Sequence, residues 1–486
     1  MARTKRKKGE NYHGSRNGKR KAEVISSDSE QDPIEIFSSS EEDSDHETRS
    51  SKRARLNNQK KRDGHVEEDF ISLDTDTRNR AQRRYDELYG SKLKRHQSDS
   101  DDEETIKKNQ NNYPWMALME YDHTDKPLSA HAHLQQEVMC FLDYIEPTQA
   151  EIRLREYLVH RITEAVSKRW PGSSVEVFGS FRTNIFLPSS DIDMVAIIPG
   201  YEKPSLYQLG GVLERADICQ NPQIITRATV PVIKFEDTLS RIKVDLIINS
   251  TSGVASAEEI NRMADAQPAL RPLSLIMKYY MAHRGLNEVF TGGLGGYAIV
   301  CLVMSFLQMH PKVATKSIDP LRNLGVLMLD MFQLYGINFN IDNVCIDVTG
   351  KGSYRSKKKM VSRNGNSVYS ILDPLDASND IGNKSYNAFL AIRAFKFAYL
   401  SMVRKGNLLE DELNKRKYKD FSPSTIKNPK RASILGTFLF MTKEMLSHRV
   451  LLNNVYIERR WEGQPAARTF PWKVSEGGDI EDDEED

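Results

Sequence analysis

The sequence predicts an α+β chain, with a small mixed sheet set ahead of a larger helical domain and charged tails at both ends. Three observations predict it. Apolar residues recur with period two in "SVEVFG", "DIDMVAII", "ATVPVIKF" and "RIKVDLII", all between residues 174 and 248. On either side of that region they recur at helical spacing. At the ends they give way to Ser, Asp, Glu, Lys and Arg, too polar to bury the surface that would offset the entropy of ordering.

Taken in order, residues 1–110 form a charged tail expected to be disordered. Its basic clusters, Lys5-Arg6-Lys7-Lys8, Lys19-Arg20-Lys21 and Lys60-Lys61-Arg62, suit a nuclear import receptor, an RNA backbone, or simple solvation. The stretches "VISSDSE" and "IEIFSSSEEDSD" join β-branched runs to acidic serines. They suit phosphorylation or addition of a strand to a partner's sheet edge.

A flank over 111–146 begins at "YPWMALMEYD". It continues as a helix in "HAHLQQEVMCFLDYI", where Leu134, Val138, Phe141, Leu142 and Ile145 share a face. Pro147 and the pattern Thr148-x-x-Glu151 open the next helix with a capping box. The period-two runs follow, with "SLYQLGGVLERA" as a helix between them, so 147–253 reads as the sheet-bearing domain. Pro231, within "ATVPVIKF", suggests an edge strand. Residues 254–461 read as the helical domain, through "LRPLSLIMKYYMAHRG", "GGYAIVCLVMSFLQM", "PLRNLGVLMLDMFQLYG" and "SYNAFLAIRAFKFAYLSMV". Residues 462–486 close the chain as an acidic tail, expected to be disordered.

The net charge of +1 averages blocks of opposite sign over 486 residues and excludes nothing. Cys140, Cys219, Cys301 and Cys345 lie far apart without metal-site spacing, which predicts buried thiols in a reducing compartment. The run "GGYAIVCLVMSFLQMHP" is too short to predict a membrane span, and "MARTKRKKGE" does not read as a leader. The expectation is a soluble intracellular protein.

Chemistry concentrates in "VFGSFRTNIFLPSSDIDMVAIIPG". On a strand, Asp191 and Asp193 point the same way, while Ile192, Met194 and Ala196 point to a core. Two carboxylates so close repel unless a cation lies between them. Asp245, in the apolar run "RIKVDLIIN", supplies a third if its strand neighbours theirs. Hard oxygen ligands of this kind suit Mg²⁺ or Mn²⁺, and a pair of such ions can clamp both oxygens of an in-line phosphoryl displacement. Gly179 permits close backbone approach. Ser180 can hold a phosphate oxygen at the start of a helical turn, and Ser190 is a further donor. An Asp-x-Asp alone recurs by chance on surfaces. The combination with Gly-Ser and a later lone Asp in an apolar strand is far more specific.

From about Tyr113 to Trp461 the chain resembles the DNA polymerase β-like nucleotidyltransferase superfamily. Within it, the chain is similar to the nuclear noncanonical poly(A) polymerases of the TRAMP type. The resemblance rests on Pro114-Trp115, "VFGSF…LPSSDID", "LNEVFTGGLGGYAIVCLVMSFLQMHP", "DPLDASNDIGNKSY" and "SILG" from Ser433. It implies a polymerase β-like nucleotidyltransferase domain forming one wall of a cleft. A larger helical poly(A)-polymerase-type central domain, with a PAP-associated segment at about 320–385, forms the other. It also implies template-independent addition of adenylate from ATP to RNA 3′ ends, tagging nuclear noncoding RNAs for exosome trimming or decay. Nuclear and nucleolar residence, a zinc-knuckle RNA-binding partner and an exosome-associated helicase follow from the same likeness. No DNA-binding or separate RNA-binding module is recognisable.

Residue by residue, the resemblance implies that Asp191 and Asp193 hold two divalent ions and that Asp245 completes the second site and assists loss of the hydroxyl proton. Gly253 lies near the nucleotide, and Lys278 meets the triphosphate as a point charge. Gly296-Tyr297 sets an aromatic face under the base. Asn379 and Asp380 face the Watson–Crick edge, where an amide leans toward adenine; uridine-preferring relatives carry histidine in place of Asn379. Many relatives read Asn-Gly at Ser252-Gly253, Ser-Tyr at Gly296-Tyr297, and arginine at Asn383. Two alternatives stand beside adenylyl transfer: transfer of uridylate or mixed nucleotides, and an inactive scaffold for RNA-decay factors.

Overall fold

The structure is a computed structural model that describes residues 113–119, 129–200, 205–228, 230–357, 367–416, 432–441 and 443–472. The basic and acidic-serine tail motifs, the core of the loop "SYRSKKKMVSRNG" and the acidic end lie outside the described residues.

Helix α1 (Ala130–Ile145) starts where the Ser129 hydroxyl accepts from the Ala132 amide at 3.2 Å. Helix α2 (Gln149–Arg169) has the complete capping box: the Glu151 amide donates to Thr148 Oγ1 at 3.3 Å, and the Thr148 amide donates to Glu151 Oε2 at 2.7 Å. The apolar stripe of α2, including Leu154, Leu158, Ile162 and Val166, lies against the sheet core.

That sheet contains β1 (Ser174–Phe178), β2 (Ile192–Ile197), β3 (Gln223–Ile225), β4 (Val232–Glu236) and β5 (Lys243–Ile248), in the order β1-β2-β5-β4-β3. Only β2 and β5 run parallel. Parallel neighbours need a crossover, and the chain supplies it through α3 (Leu206–Arg215) and the β3–β4 hairpin. The edge position expected from Pro231 is corrected: β3 covers β4. The pairing of Ile225 with Val232 begins one residue after Pro231, so the missing N–H costs no ladder bond. The buried Arg161–Asp237 pair, at 2.6 Å, ties α2 to the end of β4, and Asp237 also accepts from the Ser240 amide at 2.8 Å.

The chain then enters the helical domain through α4 (Ser252–Ala266), α5 (Leu270–His283), α6 (Gly296–Met309) and α7 (Leu324–Gln333). The hairpin of β6 (Val344–Asp347) and β7 (Ser353–Ser356) and the long α8 (Ala388–Arg416) follow. Helix α6 is the apolar run noted in the sequence; Ala298 to Leu307 are all buried. It is an internal core helix, and no described helix is long and apolar enough to cross a membrane. None of the four cysteines, all buried, forms a disulfide.

Two hydrophobic cores result, one beneath the sheet and a larger one among the helices. The flank at 113–145 belongs to the second, where Trp115 and Phe141 are fully buried edge to face. Glu137, also fully buried, binds this flank to the far end of the domain. Its carboxylate accepts from Trp115 Nε1 at 3.1 Å, from the Ile434 amide at 2.7 Å and the Leu435 amide at 3.2 Å, and from the Ser433 hydroxyl.

Two expected boundaries are corrected. Helix α9 (Lys443–Ile457) falls inside the span assigned to the helical domain, yet its Leu452 and Val455 are part of the sheet core. Within the expected tail of 462–486, Trp472 stacks on Trp461 at 3.5 Å between centroids, and Gln464 accepts from the Tyr157 hydroxyl at 3.2 Å. Ring contacts of Phe470 and Trp472 with Tyr157 and Trp461 hold "RTFPW" against the sheet side, whatever the acidic composition of the residues that follow.

Candidate active site

Strand order creates the site. Asp193 on β2 stands opposite Asp245 on β5 in the parallel ladder, and Asp191 lies two positions before Asp193. Ile192, Met194 and Ala196 alternate inward and are fully buried. The carboxylate oxygens of Asp191, Asp193 and Asp245 lie within 4.8 Å of one another.

Such crowding is written into the titration of the site. Burial first, then the Asp191 and Asp245 carboxylates, push the Asp193 carboxyl up to about 7. Burial also raises Asp245, against the pull of the Lys234 ammonium. Lys234 faces Asp245 across the β4–β5 ladder and donates to its Oδ2. From the opposite wall, Lys278 on α5 is pushed down to about 8 by burial, while Asp191 and Asp193 oppose the fall. Its Nζ donates to the Ile185 carbonyl at 2.6 Å. Three convergent carboxylates with hard oxygens, one driven toward protonation by its neighbours, fit a divalent cation of the magnesium or manganese class.

The surrounding chain makes room for this cluster. Gly179 follows β1 with φ of 64°, and a Cβ there would stand 2.0 Å from Asp193 Oδ2, so only glycine fits. Its bareness admits the carboxylate itself. Ser180 lies in the single helical turn Gly179–Arg182. A Cβ on Gly253 would come within 2.5 Å of the Phe178 ring, which lets α4 start directly against β1. The loop before Asp191 is pinned twice. Ser190 Oγ accepts from the Leu187 amide at 3.0 Å, and buried Arg155 Nη2 donates to the Pro188 and Ser190 carbonyls at 2.9 and 2.7 Å.

A cleft of about 750 Å³ opens over the cluster between the two domains. Gly179, Ser180, Ser190, Asp191, Asp193, Gly253, Lys278, Gly296 and Tyr297 all line it. Asp245, behind Asp193 on the neighbouring strand, does not, and neither do Asn379 and Asp380. Asn379 is exposed, and its Nδ2 donates to Asp373 Oδ2 at 3.0 Å; the other oxygen of Asp373 accepts from the Tyr297 hydroxyl, also at 3.0 Å. Asp380 is turned toward its own chain, accepting from the Ser370 hydroxyl at 2.6 Å and from the Ile371 and Gly382 amides at 2.9 Å each. Its carboxylate closes a turn where the sequence suggested a base contact.

Sequence reading missed Lys234, Arg155 and Asp373. The alternation of "VIKFE" signals the first, since Lys234 shares a face with Val232 and Glu236 away from the core residues Ile233 and Phe235. Nothing in the α2 pattern marks Arg155 as buried, and Asp373 in a loop has no periodicity to read.

A model of the poly(A) RNA polymerase, mitochondrial-like, central palm domain matches residues 134–262, and one of the Cid1 family poly A polymerase matches 323–379. The poly(A) RNA polymerase cid14 of Schizosaccharomyces pombe is 40% identical over 324 residues, covering 65% of this chain and 46% of that protein. The inactive noncanonical poly(A) RNA polymerase protein Trf4-2 of Drosophila melanogaster is 35% identical over 280 residues, covering 56% of this chain and 68% of that one. A solved polymerase core of TRAMP, a RNA surveillance complex, is 35% identical with a TM-score of 0.57, covering 64% of this chain and 97% of that one. The chain spans about half the length of the first curated relatives it matches.

Proposed function

This chain belongs to the noncanonical poly(A) RNA polymerase family, and from that premise we propose that it is a template-independent RNA 3′-adenylyltransferase using ATP. The observation that carries the reading is the meeting of Asp191, Asp193 and Asp245, the first two of which line an interdomain cleft. Divalent Mg²⁺ or Mn²⁺ held by these carboxylates would supply Lewis acidity toward the triphosphate and the RNA 3′-hydroxyl. The remaining work falls to the chain itself. Lys278, held over the cluster by the Ile185 carbonyl, neutralises triphosphate charge. Gly296 leaves open space beside that ammonium; a Cβ there would lie 3.6 Å from Lys278 Nζ. Tyr297, its hydroxyl fixed by Asp373, offers a ring for the base. Asn379 does not line the cleft, but Asp373 links its amide to the Tyr297 hydroxyl, which leaves the amide oxygen and one N–H for adenine. Lys234 favours the anionic form of Asp245, against the burial that raises it, and so helps this carboxylate assist as the attacking hydroxyl gives up its proton.

The wider role is nuclear: adenylation of noncoding RNAs for exosome trimming or decay, beside a zinc-knuckle protein and a helicase. Its support is the likeness to the TRAMP polymerase core. An inactive scaffold is a second reading, favoured by a relative named inactive. Against it, this chain retains all three carboxylates in a site where unneeded charge is costly.

An RNA primer supplied with each of the four nucleotides and Mg²⁺ tests the reading. Extension by ATP, abolished in Asp191→Ala/Asp193→Ala, is the expected result, and Asn379→His relaxes the preference for ATP. Preferential extension by UTP overturns the adenylyl assignment. No extension with any nucleotide leaves the scaffold.

A further inference from the structure

Among the described residues, Phe290 is the most exposed large apolar side chain, 93% open to solvent, and it lines the same cleft as Asp191 and Asp193. A bare phenyl ring there is not the product of a loose loop. The backbone beneath it is fixed: the Tyr386 hydroxyl donates to the Phe290 carbonyl at 2.7 Å, and Asn387 Nδ2 donates to the Thr291 carbonyl at 2.6 Å. Gly292, at φ of 81°, lies against the Tyr386 ring, where a Cβ would come within 2.4 Å. The fold therefore holds the ring out over the cleft at the cost of leaving it wet.

Its place relative to the carboxylates narrows the ligand. Glu288, Val289 and Phe290 line the cleft together with Lys243, which lies on β5 two residues before Asp245, and with Tyr297. Tyr297 already offers its ring to the incoming base, so a second, exposed ring in the same cleft is left for the other base that the reaction brings there, that of the acceptor RNA. A protein side chain seated on it would obstruct the cleft. Stacking on a ring tolerates every base. That suits an acceptor whose terminal base varies at the first addition and is adenine thereafter.

We propose that Phe290 is the stacking platform for the terminal base of the acceptor RNA, a subsite separate from that of the incoming nucleotide; the assignment of the acceptor rests on the transferase reading above. Binding measured without metal or nucleotide tests it independently of the chemistry. A single-stranded RNA with 2-aminopurine as its terminal base is titrated with the full chain, and both quenching and anisotropy are followed. Phe290→Ala is expected to raise the Kd by roughly 5- to 150-fold and to remove the quench, with Phe290→Trp restoring both. In steady-state extension, Phe290→Ala then raises KM for RNA and leaves KM for ATP unchanged.

Unchanged affinity and quench in Phe290→Ala overturn the proposal. So does weaker binding with the terminal quench intact, which puts the ring against another part of the RNA. Normal RNA binding together with lost association with a protein partner also overturns it, making Phe290 a partner contact. Quenching that depends on Phe290, in a chain that adds no nucleotide, supports the stacking site and defeats only the transferase reading.

Discussion

Asp193 shows how one side chain couples the fold to its ligand. Its carboxyl keeps its proton up to about pH 7, against 3.8 for an ordinary aspartate, because burial and two neighbouring carboxylates disfavour the charge. A folded value above the unfolded one has a definite sign. In the metal-free protein this group adds stability that is complete below the unfolded value and is lost as pH rises through about 7. A divalent ion must displace the same proton, so its affinity climbs by up to about tenfold per pH unit below that point and then levels off. A Mn²⁺ titration followed by electron paramagnetic resonance from about pH 5.5 to about pH 8.5 checks this. Asp193→Asn both weakens binding and flattens the profile; a flat profile in the unaltered chain contradicts the crowding. The two acids of "DID" and the lone acid of "RIKVDLII" were legible because strand alternation fixes their direction. Their electrostatic partners were not. Lys278 came from the family likeness alone and Arg155 not at all, because the two reach the site from separate helices, and only tertiary packing decides which helical cation is buried.

At the scale of elements, the same contrast separates strong periodic runs from segments held by single contacts. Strands β1, β2, β4 and β5 and the helices α1, α2, α5 and α6 all follow from apolar spacing. The three residues of β3 are too few to show alternation, and "KEMLSHRVLLNNVYI" of α9 has no clean stripe to say which core it joins. Likewise, Pro114-Trp115 and "SILG" stand out in the sequence without a visible reason. Glu137 supplies it: one buried carboxylate satisfies the indole N–H and the donors at the start of the 433–435 segment. Glu137→Ala leaves those donors buried without an acceptor. The expected loss is on the order of 3 kcal/mol of stability, read as a lower urea midpoint, with Trp115 fluorescence reporting loss of the flank. Glu137→Gln, which keeps an acceptor but loses its charge, sits between the two.

Over the whole molecule, the path of the chain sets how the two walls of the cleft are joined. The described segments lie first in the helical core, then in the sheet core, then among the helices again, and finally under the sheet. Arg449 of α9 holds the first crossing. It pairs with Glu151 at 3.0 Å, donates to the Tyr144 carbonyl at 2.5 Å, and also reaches the Glu146 carbonyl. The capping acid of α2 and the last turn of α1 are thus fastened to one guanidinium. Arg449→Met is expected to speed amide exchange across residues 143–150 by roughly tenfold, as each lost bond releases a comparable share of local stability, while the centre of the sheet keeps its protection. Unchanged exchange there would mean that the crossing is fixed by Pro147 and the capping box alone.

The return of α9 and Trp472 to the sheet has a consequence for biosynthesis. The sheet-bearing lobe begins near residue 149 but lacks Leu452, Val455 and the Trp461–Trp472 stack until residues 443–472 have been made. A ribosome therefore translates nearly the whole helical domain while the carboxylate-bearing lobe waits, its hydrophobic floor unfinished. The order in which the chain emerges thus delays maturation of the carboxylate-bearing wall until after its neighbour has been synthesised.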